Sequence, residues 1–136
     1  MKSLFQYRLP GLKYSLSIAA LVISTFGGSL SANAEAPLGD WMVRGQNPGD
    51  ERVYKGQVSV IKSGDTYTVL WRFGATTYIG TGIDVGSHFA VTFKPAESMV
   101  VGLLLLQKKD GIWQGKWTEM GSQSVGLEAW KKLGSE

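Results

Sequence analysis

Val53-Tyr54-Lys55-Gly56-Gln57-Val58-Ser59-Val60-Ile61, then Lys62-Ser63-Gly64-Asp65, then Thr66-Tyr67-Thr68-Val69-Leu70-Trp71-Arg72-Phe73: this stretch decides the fold. Side chains of a strand point alternately to its two faces, so a strand with one buried face shows apolar residues at every second position. Tyr54, Gly56, Val58 and Val60 share one face of the first segment; Tyr67, Val69, Trp71 and Phe73 share one face of the second. The Ser63-Gly64-Asp65 cluster between them is a turn. Two half-buried strands joined tightly predict an antiparallel hairpin.

The same alternation continues outward. Strands are predicted at Asp40–Arg44, Val53–Ile61, Thr66–Phe73, Thr76–Ile83, His88–Lys94, Met99–Gln107, Ile112–Thr118 and Val125–Trp130. Pro95 ends the fifth by removing a ladder donor, and Asp110-Gly111 carries the two-residue hairpin signal. No segment before the C-terminus has helical periodicity, and no connection is long enough for a crossover helix. The expectation is a single all-β domain over 35–136, an antiparallel up-and-down barrel of about eight strands, because closure removes exposed edges. A two-sheet β-sandwich is the alternative.

Residues 1–34 read as an address. Lys2, Arg8 and Lys13 precede the apolar run Leu16–Ile23, and small residues lead to Ala32-Asn33-Ala34. That is the order of a secretory signal peptide, and the run is too short to span a bilayer. Cleavage after Ala34 is expected, with export to the periplasm or beyond and no membrane span in what is left. The chain has 14 basic and 11 acidic residues; losing three basic residues with the leader leaves the two equal. Nucleic acid is therefore not an expected partner.

Composition removes most chemistry. There is no Cys and one His, so a disulfide framework, a thiolate nucleophile and a multi-histidine metal centre are excluded, and no cofactor or metal is expected. His88 opens a strand at a sheet rim, where an enzyme would need it paired with a rim carboxylate; a small hydrolase or isomerase of that kind is the alternative function. Asp50, Glu51, Asp65, Asp84 and Asp110 fall in predicted turns, where Asp serves the backbone. Glu128 lies in the last strand between Gly126 and Trp130. A rim or outward placement is expected; inward, it would need a partner such as Arg72, Arg44 or a ligand.

The tryptophans are the largest binding resource. Trp71, Trp113 and Trp117 alternate correctly to line one interior, where a core stack is the simplest account of them, and Trp41 and Trp130 stand near the ends to close the barrel. The residues a ligand would use are Trp41, Trp71, Trp113, Trp117, Glu128 and Arg72. Tyr54-x-Gly56, Tyr78-x-Gly80 and Trp113-x-Gly115 pair an aromatic with a glycine on one face. Sharp strand bending, with a ring covering bare backbone, is the adopted reading, although ligand access has the same signature. Val100-Val101-Gly102-Leu103-Leu104-Leu105-Leu106 is apolar on both faces, so an outward pair drawn from Leu103, Leu104, Leu105 and Leu106 must be covered by the chain end 129–133 or by self-association through strand 99–107.

Two resemblances add to this. Gly39-Asp40-Trp41 resembles the G-x-W opening of lipocalins and avidins, whose Trp plugs one end of an antiparallel barrel. The stretch 54–128 resembles a group of small exported bacterial proteins in Tyr54-x-Gly56-x-Val58, Tyr67-x-Val69-x-Trp71, Gly80-Thr81-Gly82-Ile83, Asp110-Gly111-Ile112-Trp113-Gln114-Gly115-Lys116-Trp117 and Gly126-Leu127-Glu128. Some of that group are labelled fibronectin-binding. The resemblance implies an exported, non-enzymatic binding module and carries no catalytic residues. The partner is a protein, or a small apolar or aromatic ligand at the barrel end.

Overall fold

The computed structural model describes residues 35–134, and the predicted leader lies outside them. Eight strands follow one another: β1 (Gly39–Gln46), β2 (Val53–Ser63), β3 (Thr66–Phe73), β4 (Thr76–Val85), β5 (His88–Pro95), β6 (Gly102–Lys109), β7 (Ile112–Glu119) and β8 (Gly126–Lys132). Each pairs antiparallel with the next, and β1 closes on β8 from Trp41↔Lys132 to Gln46↔Leu127, giving a closed barrel in sequence order. The sandwich alternative is thereby excluded. Among the described residues no helix is long and apolar enough to cross a membrane.

The two ends of the barrel differ because their connections differ. At one end the hairpins turn through Gly64-Asp65, Gly86-Ser87 and Asp110-Gly111. Gly64 and Gly86 have φ near +60°, as a type II′ turn requires of its first central residue, and Asp110 (52°) and Gly111 (77°) are both positive, as type I′ requires. The longer connections 47–52, 96–101 and 120–125 all lie at the opposite end, where loops have room to surround an opening.

The tight end is plugged. The Trp41 indole N–H donates to Pro37 O at 2.8 Å, and Lys132 Nζ lies 4.7 Å from the centre of the Trp41 ring while donating to Leu38 O. Ala36 and Pro37 are buried beneath. Trp41 thus closes this end, whereas Trp130, expected to close an end as well, is fully buried in the core.

Period-two alternation placed the inner face correctly. Val43, Val58, Val60, Val69, Trp71, Phe89, Val91, Leu104, Leu106, Trp113 and Trp130 are buried together. Their rings meet edge to face: Tyr67–Phe89 at 5.5 Å, Phe89–Trp113 at 6.3 Å and Trp71–Trp130 at 5.9 Å. That is the favoured geometry for aromatic quadrupoles.

Several expectations need correction. β6 begins at Gly102, not Met99, and Asp84 lies inside β4 instead of a turn. Leu104 and Leu106 point inward and are fully buried, so they are core and not interface; the outward pair is Leu103 and Leu105, each half-exposed. The chain end does not cover them, because it is committed to β8 between β1 and β7. Gly56 is covered by Phe73 of the neighbouring strand, and Gly115 meets the backbone of Leu105. The rings that cover the glycines therefore come across the sheet and not from two residues along the same strand.

This division of faces sets an expected stability pattern in denaturant unfolding. Trp113→Ala should cost about 3–5 kcal/mol, the usual loss on emptying a large aromatic core site. Leu105→Ala should change stability by no more than about 0.5 kcal/mol, as surface substitutions do. Similar losses for the two would overturn the inward and outward assignment.

Candidate ligand cavity at the open end

Glu128 sits in β8 between Gly126 and Trp130, and its position in the barrel wall decides what surrounds it. It pairs with Gly45 of β1 on one side and Gly115 of β7 on the other, and Gly45 in turn pairs with Tyr54 of β2. A side chain at Gly45 would run into the Tyr54 hydroxyl and ring. With no side chain there, the tyrosine reaches across β1 to the carboxyl group.

The Tyr54 hydroxyl donates to Glu128 Oε2 at 2.7 Å. The indole N–H groups of Trp71 and Trp130 donate to Glu128 Oε1 at 2.9 and 2.6 Å. Glu128 is 7% exposed and is the one buried charged or polar residue among the described core. Burial pushes its carboxyl group above the ordinary carboxylate range, although the bonds from Tyr54, Trp130 and Trp71 oppose that shift. Tyr54 is raised too, first by burial and then by the adjacent Glu128.

Above this group a cavity of about 240 Å³ opens at the end of the barrel that carries the long connections, of which Asn47 joins the lining. Its wall is a circuit of rings. Tyr54 meets Phe73 at 5.2 Å, Phe73 meets Tyr78 at 5.8 Å, Tyr78 meets Phe93 at 6.2 Å and Phe93 meets Trp117 at 6.0 Å. Glycines make room for them: a side chain at Gly102 would strike the Phe93 ring, and one at Gly126 the Trp117 indole. Trp71, Leu104 and Glu128 complete the lining, with Asn47, Thr76 and Glu119 towards the mouth.

The Trp117 indole N–H is buried without a hydrogen-bond partner. It lies close enough to the Tyr54 hydroxyl to favour the ionised phenol slightly, but the geometry does not complete a bond. A buried donor left unsatisfied costs roughly 1–3 kcal/mol; this one lies against the bare backbone of Gly126. Trp113 Nε1 is also unpartnered, deep in the core.

Of the six residues expected to bind a ligand, the structure brings together Trp71, Trp117 and Glu128. Trp41 is at the plugged end, and Trp113 is a core residue with no exposed surface. Arg72 faces solvent on the outside of β3, because it alternates with the inward Trp71 and Phe73. Glu128 is inward, against the expected rim or outward placement, and its partners are two tryptophans and a tyrosine instead of an arginine. Tyr54, Phe73, Tyr78 and Phe93 were missed as site residues. Their inward faces were legible, but their shared height above Glu128 comes only from the register between strands.

His88 stands at the plugged end, exposed. Ser87 occupies the turn and not the strand, so its hydroxyl reaches His88 Nδ1 at 3.3 Å. The topology puts this pair at the end of the barrel remote from Glu128 and the cavity. Among the described residues no group of His, Asp and Glu side chains could hold a metal ion.

No protein-family model matches the chain, and no curated protein matches it. Among solved structures it is similar to one titled REP1-NXSQ fatty acid transporter, with a TM-score of 0.50 at 12% identity, over 73% of this chain and 97% of that one. At that identity the similarity shows a shared fold.

The raised ionisation of Glu128 has a testable sign. The native state holds this proton to higher pH than the unfolded chain does, so the group's contribution to stability falls as pH rises above the ordinary value of 4.5. Glu128→Gln keeps an oxygen for the indoles and removes the titration. Thermal melts between pH 4.5 and pH 8 should show wild type losing stability relative to Glu128→Gln. Wild type gaining on the variant as pH rises would contradict the assignment.

Proposed function

We propose that the chain is an exported, non-enzymatic binding protein that takes a small, largely apolar or aromatic molecule into the open end of its barrel. The observation that carries this reading is the aromatic-walled cavity of about 240 Å³ at the end of the barrel opposite the Trp41 plug. Ligand sites are concave, mostly apolar and marked by a few placed polar groups; here those groups are Glu128 at the floor and Asn47, Thr76 and Glu119 towards the mouth. The similar fold of a protein titled a fatty acid transporter supports a carrier role for a barrel of this kind. Export rests on the leader pattern of residues 1–34.

A protein partner, the other half of the expected binding role, draws support from a different surface. Ile83, Ala90 and Leu105 are paired across β4, β5 and β6, with Leu103 beside them. Ile83, Leu103 and Leu105 are each about half-exposed. This outer strip is where self-association through β6 or contact with a protein would take place.

The cavity reading is tested with N-phenyl-1-naphthylamine, whose fluorescence rises in an apolar site. Wild type should bind it saturably. Thr76→Trp places an indole at the mouth from an exposed position and should weaken binding by about tenfold or more without loss of folding. An absence of binding to wild type, or equal binding to the plugged variant, would overturn the reading.

A further inference from the structure

Glu128 is a buried carboxyl group with three hydrogen-bond donors, all of them uncharged. A buried charge is costly unless a counter-charge accompanies it. The basic side chains that sequence could have offered, Arg44 and Arg72, both face solvent, and no Lys or Arg lines the cavity. A second carboxyl group, Glu119, stands towards the mouth. The cavity is thus acidic at its floor and its mouth.

Its walls favour the same sign. Tyr54, Phe73, Tyr78, Phe93, Trp71 and Trp117 surround the space with π-systems, whose faces are negative. An ammonium group that meets the face of one of these rings is attracted to it, and the attraction grows as water is removed. A fatty acid would bring its own carboxylate to a site with no cation to meet it. The acidic lining and the absence of Lys and Arg from it both favour a positively charged guest.

Resting on the cavity reading above, we infer that the site selects organic cations: a quaternary ammonium or protonated amine seated in the aromatic cage, with Glu128 supplying the counter-charge. A bound cation favours the ionised carboxyl, which gives its proton to solvent, so the ligand completes an ion pair for which the cavity wall offers no cation.

Choline and 3,3-dimethyl-1-butanol test this directly, because they have nearly the same shape and differ in charge. Titration calorimetry of wild type at pH 8 should show choline bound about tenfold or more tightly than the neutral alcohol. In Glu128→Gln that preference should shrink to within about threefold, with the alcohol bound as before. Tyr78→Leu, which removes one ring of the cage and leaves Glu128 untouched, should weaken choline more than the alcohol and keeps the test open if Glu128→Gln fails to fold. Equal or tighter binding of the alcohol to wild type would overturn the cation inference, as would an unchanged preference in a folded Glu128→Gln protein. If N-phenyl-1-naphthylamine binds while choline does not, the cavity reading stands and the cation inference falls. If none of the three binds, both fall.

Discussion

The interior of this barrel is organised around one buried carboxyl group. Glu128 needs hydrogen-bond donors because it has left water, and the donors come from three different strands: Tyr54 on β2, Trp71 on β3 and Trp130 on its own β8. Two of them are large enough to fill the barrel's middle. Their bonds to one acceptor hold the rings in place, and the rings in turn divide the interior into a packed lower half and an open upper one.

Glycine is the complement of this arrangement. A small barrel lacks the volume for a large side chain at every inward position. Here the sequence alternates rings and glycines around the circumference: Gly45 beside Tyr54, Gly102 beside Phe93 and Gly126 beside Trp117. Each bare backbone position is the space a neighbouring ring occupies. The upper layer is consequently lined by rings lying along the wall, which leaves the centre open, whereas below it Val43, Val58, Val69 and Trp113 meet and fill the space. Tight glycine turns and the Trp41 plug close the lower end, so access is from the loops above.

Much of the fold was legible in the sequence, and the reasons are local. Period two placed all eight strands, the Asp110-Gly111 turn announced its hairpin, and Trp71 and Trp117 were put on the inward face by alternation alone. The site was only partly legible. Alternation gives the face of a residue but not its height in the barrel, so Trp113 could not be told from Trp117 although one is core and the other cavity wall. Arg72 was a reasonable partner for Glu128 by charge, yet it lies next to Trp71 in sequence and so points the opposite way. Glu128 itself was expected at the rim because a charged residue usually avoids the interior. Its burial depends on a tyrosine that reaches it across a glycine, a relation between β2, β1 and β8 that no stretch of sequence displays.

The central claim is that the open end, around Trp71 and Trp117, is where a ligand enters. The five tryptophans make this directly measurable, since each indole N–H gives its own signal in a proton–nitrogen NMR spectrum. On titration with N-phenyl-1-naphthylamine, the signals of Trp71 and Trp117 are expected to move together and saturably, while that of Trp41 at the plugged end stays fixed. Movement of Trp41 with Trp71 and Trp117 unmoved would place the ligand at the wrong end of the barrel and contradict the account.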